Sequence, residues 1–300
     1  MGLLNLNTVA KILHYFYDVY YNKKMRIYIY LIFSLSFFGC ATQKHKDISY
    51  LGSNTINESP KLNIFLPKRS NTDQLPVLIF VHGGNWNTGN KDQYGFFGKN
   101  FAKKDVITVI PDYTLSPKAN YDVQAQEIAA VIKWTLANIT NYNGNPRQIF
   151  ISGHSAGGHL AALAVMNPKY GINPSDISGI ILIDAAGLDM KHYLLENPPT
   201  DAHDYKATWT TDPIKWQDAS PIYFLNEQTP PLLIYVGNKT YKSIKVTNER
   251  FVSALRSFDP NAKLIPINKS HIPMILQYYF SGSERFKETK AFMSTAIKAK

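Results

Sequence analysis

Charge and cysteine are both scarce in this chain of 300 residues. Only 18% of the residues are charged, and the single cysteine is Cys40. One cysteine cannot form an intrachain disulfide bond, so the fold has no disulfide framework. With so few charges, no part of the chain has the composition of a charged, disordered tail. The length and the 45% hydrophobic content instead predict one large core in a single domain.

The net charge of +10 does not by itself indicate binding to nucleic acid. The lysines are scattered along the chain, and no run of basic residues alternates with aromatic ones or belongs to a recognised binding module. The sequence also lacks the spacing that is typical of metal ligands. We therefore expect neither a nucleic-acid partner nor a metal or cofactor.

A short apolar segment near the N-terminus has the pattern of a secretion signal. Basic residues at 23–26 precede an apolar run at 27–38, and Cys40 follows after one glycine. Such a run is too short to cross a bilayer comfortably but matches the apolar region of a signal peptide. The segment resembles a bacterial lipoprotein signal, which implies cleavage and lipidation at Cys40. The protein would then be exported and membrane-anchored, in the periplasm or outer membrane; an uncleaved anchor is the alternative.

These features divide the chain into three parts. Residues 1–40 form the signal segment, and Met25 is an alternative translation start. Residues 41–58 are polar and predict a tether. Residues 59–300 form the folded domain, which opens with an alternating edge strand at Lys61–Pro67.

Strand-like and helix-like segments alternate along the folded domain. Apolar runs at 75–81, 106–111 and 177–183 predict buried strands, and the apolar spacing over 124–138 predicts a helix. This alternation predicts an α/β fold with a doubly wound, mostly parallel sheet, whose sites lie at the carboxyl ends of the strands. The stretch 188–221, rich in tryptophan, tyrosine and proline, predicts a small cap insertion over the cleft.

One motif carries more chemical information than the others. Residues 153–158 read G-H-S-A-G-G, after an apolar run at 147–152 that predicts a strand and before a predicted helix at 160–166. A G-x-S-x-G sequence at such a junction is typical of a nucleophile elbow, a tight turn that presents the serine hydroxyl to the cleft. An ordinary glycine-rich turn is the alternative for the short motif alone. Ser155 is the candidate nucleophile.

Two further segments support a site around Ser155. Gly83 and Gly84 follow an apolar strand, and their N–H groups can turn toward a developing oxyanion because glycine has no Cβ. His271 follows a late strand and a short polar loop. It also comes after Ser155 in chain order, as an elbow serine requires of its base. We expect His271 to be the general base.

The residues beside these motifs have structural roles in our interpretation. We expect His82 to brace the glycine loop and His154 to shape the elbow. His159 is expected on the surface of the helix that follows the elbow. Trp86 is expected to pack against the core or to wall the cleft.

Four motifs together resemble the α/β-hydrolase carboxylesterases, in the branch of the kynurenine formamidase-like and hormone-sensitive-lipase-like enzymes. In the family's order they are H-G-G-x-W at 82–86, G-x-K at 89–91, P-D-Y-x-L-S-P at 111–117 and G-H-S-A-G-G at 153–158. The resemblance implies the α/β-hydrolase fold and a serine esterase with Ser155 as nucleophile and His271 as base. The implied oxyanion hole consists of the N–H groups of Ala156 and of Gly83 or Gly84.

The acid of the implied catalytic triad departs from the family pattern. The family places it in a G-x-x-D turn after the strand that precedes the histidine, but here that turn ends at Thr240, which carries no charge. Asp184 ends the buried strand at 177–183, where some lipases of this fold carry the acid, and a buried carboxylate needs a partner. Asp184 is the first candidate and Asp189 the second. In the other interpretation, Asp184 only accepts hydrogen bonds from its own turn.

These observations predict hydrolysis of a carboxylic ester through an acyl-enzyme. The expected substrate is a small-molecule or polysaccharide-linked acyl ester. Two alternatives stay open: hydrolysis of an N-formyl amide by the same residues, and a non-catalytic binding protein on the same fold, which the missing acid at Thr240 would allow.

Overall fold

The computed structural model divides the chain into two units, Met1–Ala41 and Thr42–Lys300. The described residues are 42–52, 59–68 and 74–299, with isolated positions between 11 and 18. Cys40 and nearly all of the predicted signal segment lie outside them, so their roles stay predictions. Within the described part, no helix combines the length and the apolar character needed to cross a bilayer.

The second unit is built around an eight-stranded sheet. Its strands are β1 (Thr42–Ser49), β2 (Lys61–Pro67), β3 (Leu75–Val81), β4 (Ile107–Pro111), β5 (Gly144–His154), β6 (Ile177–Ile183), β7 (Leu232–Gly237) and β8 (Leu264–Ile267). They lie in the order β1-β2-β4-β3-β5-β6-β7-β8. The pairs β1–β2 and β2–β4 are antiparallel, and every other neighbouring pair is parallel. The predicted mostly parallel α/β sheet is confirmed.

Helices connect the strands. In the part of the chain that the structure describes, the α-helices are α1 (Gly95–Ala102), α2 (Tyr121–Asn138), α3 (Ala156–Met166), α4 (Met190–Glu196), α5 (Tyr205–Trp209), α6 (Pro213–Asp218), α7 (Lys242–Leu255), α8 (His271–Leu276) and α9 (Glu284–Ala299). Short 3₁₀ turns join several of them.

The core lies on both faces of the sheet because the central strands carry apolar side chains on both of their faces. In β3, Val77 and Ile79 belong to one buried cluster together with residues of α2, α3 and α7. Leu78 and Phe80 belong to a second cluster with residues of α1 and α9. Successive side chains of a strand point to opposite faces, so this alternation places helices on both sides of the sheet.

The predicted tether is wrong over residues Thr42–Ser49, which form β1. This strand pairs antiparallel with β2 from Thr42 opposite Pro67 to Ser49 opposite Lys61. The prediction of β2 as an edge strand is therefore also wrong, because β1 occupies the edge. The polar sequence of β1 suits a strand with one paired side and partly exposed side chains.

Residues 188–221, the predicted cap insertion, lie between β6 and β7 and contain α4, α5 and α6. Three of its aromatic or apolar side chains, Met190, Tyr193 and Tyr205, line the cleft described below. Trp209 at the end of α5 is fully buried and packs edge-on against Trp86, with ring centroids 4.6 Å apart. The insertion is thereby packed onto the loop that follows β3.

Candidate active site

Ser155 occupies a strained turn between the end of β5 and the start of α3. Its backbone angles are φ 55° and ψ −125°, in the left-handed half of the map that L-residues rarely adopt. The elbow also passes very close to β3. A Cβ added at Gly157 would lie 2.1 Å from the carbonyl oxygen of Val81, so this position accepts only glycine. The sequence prediction of a nucleophile elbow agrees with this geometry.

The carbonyl oxygen of Ser155 ties the elbow to the loop after β6. It accepts hydrogen bonds from the N–H groups of Gly158 at 3.0 Å, His159 at 3.3 Å and Ala186 at 3.1 Å. The Ser155 N–H in turn donates to Ile183 O at 3.2 Å. The carboxyl end of β6 and the loop after it are therefore fixed beside the serine.

A chain of side-chain hydrogen bonds runs from Ser155 through His271 to Asp184. Ser155 Oγ lies 2.8 Å from His271 Nε2, and His271 Nδ1 lies 2.6 Å from Asp184 Oδ2. Asp184 is fully buried, whereas the His271 side chain keeps 13% of its surface exposed. The three residues come from the ends of β5 and β6 and from the N-terminus of α8. The structure thus brings together the residues that the sequence predicted as nucleophile, base and acid.

Asp184 is held in place by groups of β7 and the turn after it. Its N–H donates to Tyr235 O at 2.8 Å, and its backbone is left-handed at φ 50°. Its Oδ1 accepts the N–H of Gly237 at 2.8 Å, and its Oδ2 accepts the hydroxyl of Thr240 at 2.5 Å as well as His271 Nδ1. The alternative in which Asp184 serves only its own turn does not describe these contacts.

Asp189, the second candidate acid, is buried at a different place. Its Oδ1 caps α4 by accepting the N–H of His192 at 3.1 Å, and its Oδ2 accepts Arg250 Nε at 2.7 Å. These are the contacts of a carboxylate that stabilises a helix terminus and an ion pair.

Thr240 is the member of the site that the sequence did not identify. Threonine has no charge and cannot be the acid of the triad. Its hydroxyl nevertheless lies 2.5 Å from Asp184 Oδ2 and 3.4 Å from His271 Nδ1. The signal was present in the sequence, because Thr240 occupies the last position of the turn where the family places its acid.

His154 holds His271 in place by ring stacking and by a hydrogen bond to its backbone. The two imidazole rings are stacked with centroids 4.6 Å apart, and His154 Nε2–H donates to the backbone oxygen of His271 at 3.1 Å. Two causes lower the pKa of His154 from 6.5 to about 3: burial is the larger, and the nearby His271 is the second. His154 is therefore a neutral donor at ordinary pH.

The glycine loop after β3 faces the serine. A Cβ added at Gly83 would lie 3.1 Å from the Ser155 Cβ. Gly84 has φ +130°, and a Cβ there would lie 2.0 Å from the carbonyl oxygen of Thr88. Ala156 is the first residue of α3, where backbone N–H groups have no acceptor within the helix. Of the predicted oxyanion-hole residues, Gly83 thus lies against Ser155, Ala156 follows it in the chain, and Gly84 lines the same cleft.

His82 braces this loop as the sequence suggested. It is fully buried, its Nδ1–H donates to Gly83 O at 2.8 Å, and its ring stacks on Tyr113 at 4.4 Å. Burial lowers the pKa of His82. Tyr113 in turn donates its hydroxyl to His82 O at 3.1 Å.

The prediction of His159 on the helix surface is wrong, because every residue of α3 is buried. Trp86 Nε1–H donates to His159 Nδ1 at 3.1 Å, and His159 Nε2 lies 2.7 Å from Ala219 O. Since an indole can only donate, Nδ1 of His159 carries no proton and Nε2–H donates to the carbonyl. Burial lowers the pKa of His159 from 6.5 to about 4.

A cleft of about 740 Å³ opens over Ser155 and His271. Among the described residues that line it there is no aspartate, glutamate, lysine or arginine. The walls carry aromatic, amide and hydroxyl side chains instead: Trp86, Tyr94, Tyr193, Tyr205, Tyr241, Asn85, Asn87, Gln93, Ser243 and Thr247. The cleft is shaped for an uncharged ligand with both apolar and hydrogen-bonding surface.

The sheet and the elbow define an α/β-hydrolase. Comparison of the sequence with known families agrees, since residues 62–245, more than half of the chain, match the BD-FAE family. The chain belongs to the BD-FAE family.

Individual relatives are more distant. Kynurenine formamidase from Danio rerio is 24% identical over 212 residues, which cover 67% of this chain and 66% of that protein. Esterase LipQ from Mycobacterium tuberculosis is 28% identical over 194 residues, which cover 61% of this chain and 46% of that protein. The chain therefore spans less than two thirds of the length of each.

Solved structures share the fold across the whole chain. Esterase B from Lactobacillus rhamnosis, solved with a tributyrin phosphonate inhibitor, has a TM-score of 0.70 at 15% identity. The match covers 99% of this chain and 98% of the esterase.

Proposed function

We propose that the protein hydrolyses a carboxylic ester by a two-step serine mechanism. The observation that carries the proposal is the unbroken chain of hydrogen bonds from Ser155 Oγ through His271 to the buried carboxylate of Asp184. The name of the relative Esterase LipQ supports the same reaction class.

In the first step, Ser155 Oγ attacks the ester carbonyl while His271 Nε2 takes the hydroxyl proton. Asp184 stabilises the imidazolium through Nδ1–H. In this mechanism the N–H groups of Ala156 and of Gly83 or Gly84 donate to the oxygen that becomes negative in the tetrahedral intermediate. The imidazolium then protonates the leaving alcohol, and an acyl-enzyme on Ser155 is left.

In the second step, water replaces the alcohol. His271 takes a proton from the water as it attacks the acyl carbonyl, and the same N–H groups stabilise the second oxyanion. Collapse of this intermediate releases the carboxylic acid as the proton returns to Ser155 Oγ. No other group is required for the balance of protons.

The cleft favours a neutral acyl ester on a small molecule or a carbohydrate. Aromatic faces interspersed with amide and hydroxyl groups suit sugar rings and short acyl or aryl groups, which present apolar surface and hydroxyls together. A charged substrate would lose its hydration without gaining an ionic partner from the described walls.

Hydrolysis of an N-formyl amide is the second candidate, favoured by the resemblance to kynurenine formamidase from Danio rerio. The same oxyanion site and the same base would serve. An N-formyl amide of kynurenine keeps the ammonium and carboxylate groups of the amino acid, so the lack of charged side chains among the described cleft residues argues against that substrate.

Turnover of p-nitrophenyl acetate and butyrate by wild type and Ser155→Ala tests the proposal. We expect Ser155→Ala to lose on the order of 10⁶ in kcat, leaving background hydrolysis. A fluorophosphonate probe should add its mass to wild type but not to Ser155→Ala. Equal, background-level rates together with no labelling of wild type would favour a binding protein on this fold. A panel of acetylated sugar, feruloyl ester and formamide substrates then ranks the substrate classes.

We also propose that Cys40 carries a lipid anchor, on the basis of the basic and apolar residues before it. Mass spectrometry of the mature N-terminus should find Cys40 as the first residue with a diacyl or triacyl modification. An unmodified, uncleaved chain in the membrane fraction would contradict this proposal.

A further inference from the structure

The turn after β7 lies against both the acid and the base of the candidate triad. Backbone hydrogen bonds fix it there: Asn238 N donates to Ile267 O at 2.7 Å, and Lys239 N donates to Lys269 O at 3.1 Å. Both acceptors precede His271 in the same loop. The position of Thr240 is therefore set by the segment that also carries the base.

The Thr240 hydroxyl has only one proton, and the contacts decide where it goes. Its two neighbours are Asp184 Oδ2 at 2.5 Å and His271 Nδ1 at 3.4 Å. An ionised carboxylate can only accept, so the hydroxyl donates to Asp184. The lone pairs of the Thr240 hydroxyl then face the imidazole N–H. That N–H makes its short hydrogen bond to Asp184 Oδ2, at 2.6 Å.

The Asp184 carboxylate thus receives donors on both oxygens. Gly237 N–H holds Oδ1, while Thr240 and His271 share Oδ2. A carboxylate with no exposed surface depends on such donors to keep one orientation. Without the Thr240 hydroxyl, Oδ2 would retain the histidine alone and the carboxylate would be freer to rotate away from it.

From these contacts we infer that Thr240 is a positioning residue, which orients the Asp184 carboxylate so that Oδ2 faces His271 Nδ1. The turn it occupies is also a second place from which a carboxylate can reach the same ring nitrogen. An aspartate at position 240 has one more bond than threonine between Cβ and the oxygen, which shortens the 3.4 Å gap to His271 Nδ1. This inference rests on the proposed function for its kinetic consequences.

Kinetics of Thr240→Val and Thr240→Ser test the positioning role. Valine keeps the branched shape but not the hydroxyl, so we expect kcat to fall about 10-fold, with KM changed by less than about two-fold. Serine keeps the donor and should stay within about three-fold of wild type. A Thr240→Val enzyme with wild-type kcat, or a Ser variant as slow as the Val variant, would overturn the inference.

A rescue experiment tests whether a carboxylate at position 240 can replace Asp184 as the acid. Asp184→Asn should lose on the order of 10⁴ in kcat, because the histidine loses its orienting anion. Adding Thr240→Asp to this variant should restore at least about 10-fold, since the new carboxylate can accept Nδ1–H. A double variant no faster than Asp184→Asn would contradict the inference.

A measurement without substrate separates failure of this inference from failure of the proposed function. In one-dimensional proton NMR, the His271 Nδ1 proton shared with Asp184 should give a strongly downfield resonance that Asp184→Asn removes. We expect Thr240→Val to shift or broaden it, Thr240→Ser to keep it and the double variant to restore it. An unchanged resonance in Thr240→Val would overturn the positioning role whether or not the protein cleaves esters.

Discussion

The serine half of the site and its acid half are built in different ways. Around Ser155 the geometry comes from the backbone: a left-handed residue, a glycine with no room for a Cβ and a carbonyl that accepts three N–H groups. Around Asp184 two side chains, the Thr240 hydroxyl and the His271 ring, are added to the backbone contacts with Gly237 and Tyr235. We therefore expect substitution of a glycine in the serine half to affect folding first, and substitution of a side chain in the acid half to affect turnover first.

Apart from loss of the nucleophile itself, the largest effect should come from the acid half. Asp184→Asn should lose on the order of 10⁴ in kcat, while the shape of the buried side chain is preserved. Asp189→Asn is the matched control, because that carboxylate is also buried but contacts Arg250 and the start of α4. It should keep kcat within about two-fold and lose about 1 kcal/mol of unfolding free energy. Steady-state kinetics beside urea unfolding measure both; a fast Asp184→Asn enzyme would remove Asp184 from the triad.

The corresponding change in the serine half should act on stability. In Gly157→Ala the new Cβ would meet the carbonyl oxygens of Val81 and His82 at 2.1 and 2.4 Å, so the backbone must move. We expect a loss of about 3 kcal/mol in unfolding free energy. Gly282→Ala, where a Cβ meets nothing within 4 Å, should unfold like wild type. Equal urea midpoints for the two variants would show that the elbow tolerates a side chain.

A third effect concerns the contact between the glycine loop and the insertion, and it depends on pH. Burial puts the pKa of His159 at about 4, below its unfolded value of 6.5. The unfolded chain therefore binds the proton first on acidification. The stability from neutral His159 is complete above about pH 6.5 and is lost as the pH falls toward 4.

His159→Gln should remove this part of the pH dependence. The drop in unfolding free energy between pH 7 and about pH 4 should be smaller than in wild type by about 3 kcal/mol. His192→Gln, a change at the half-buried histidine of α4, is the control for loss of an imidazole outside this contact. Parallel pH curves for wild type and His159→Gln would mean that His159 does not have to be neutral in the fold.

The difference between the two halves also explains what could be predicted from the sequence. The elbow and the glycine loop were predictable because backbone geometry of this kind needs glycine at fixed spacing. The parallel sheet was predictable because strands covered on both faces read as continuous apolar runs. Asp184 could be proposed because it directly follows such a run.

Other features depend on partners far away along the chain. Strand β1 is polar, and only the free edge of β2 makes it a strand, so residues 42–49 resembled a tether. His159 was predicted on the surface because its hydrogen-bond partners, Trp86 and Ala219, are far from it in the sequence. Thr240 was missed for a similar reason, since its role depends on a carboxylate 56 residues away.

The neutral walls of the cleft bear on how a substrate arrives. The described lining residues include no aspartate, glutamate, lysine or arginine, and a neutral ester has no net charge on which the field of a chain of net charge +10 can act. Encounter then depends on diffusion and on contact with aromatic and amide surfaces. Capture of a neutral ester should consequently proceed at the same rate in dilute buffer and in strong salt.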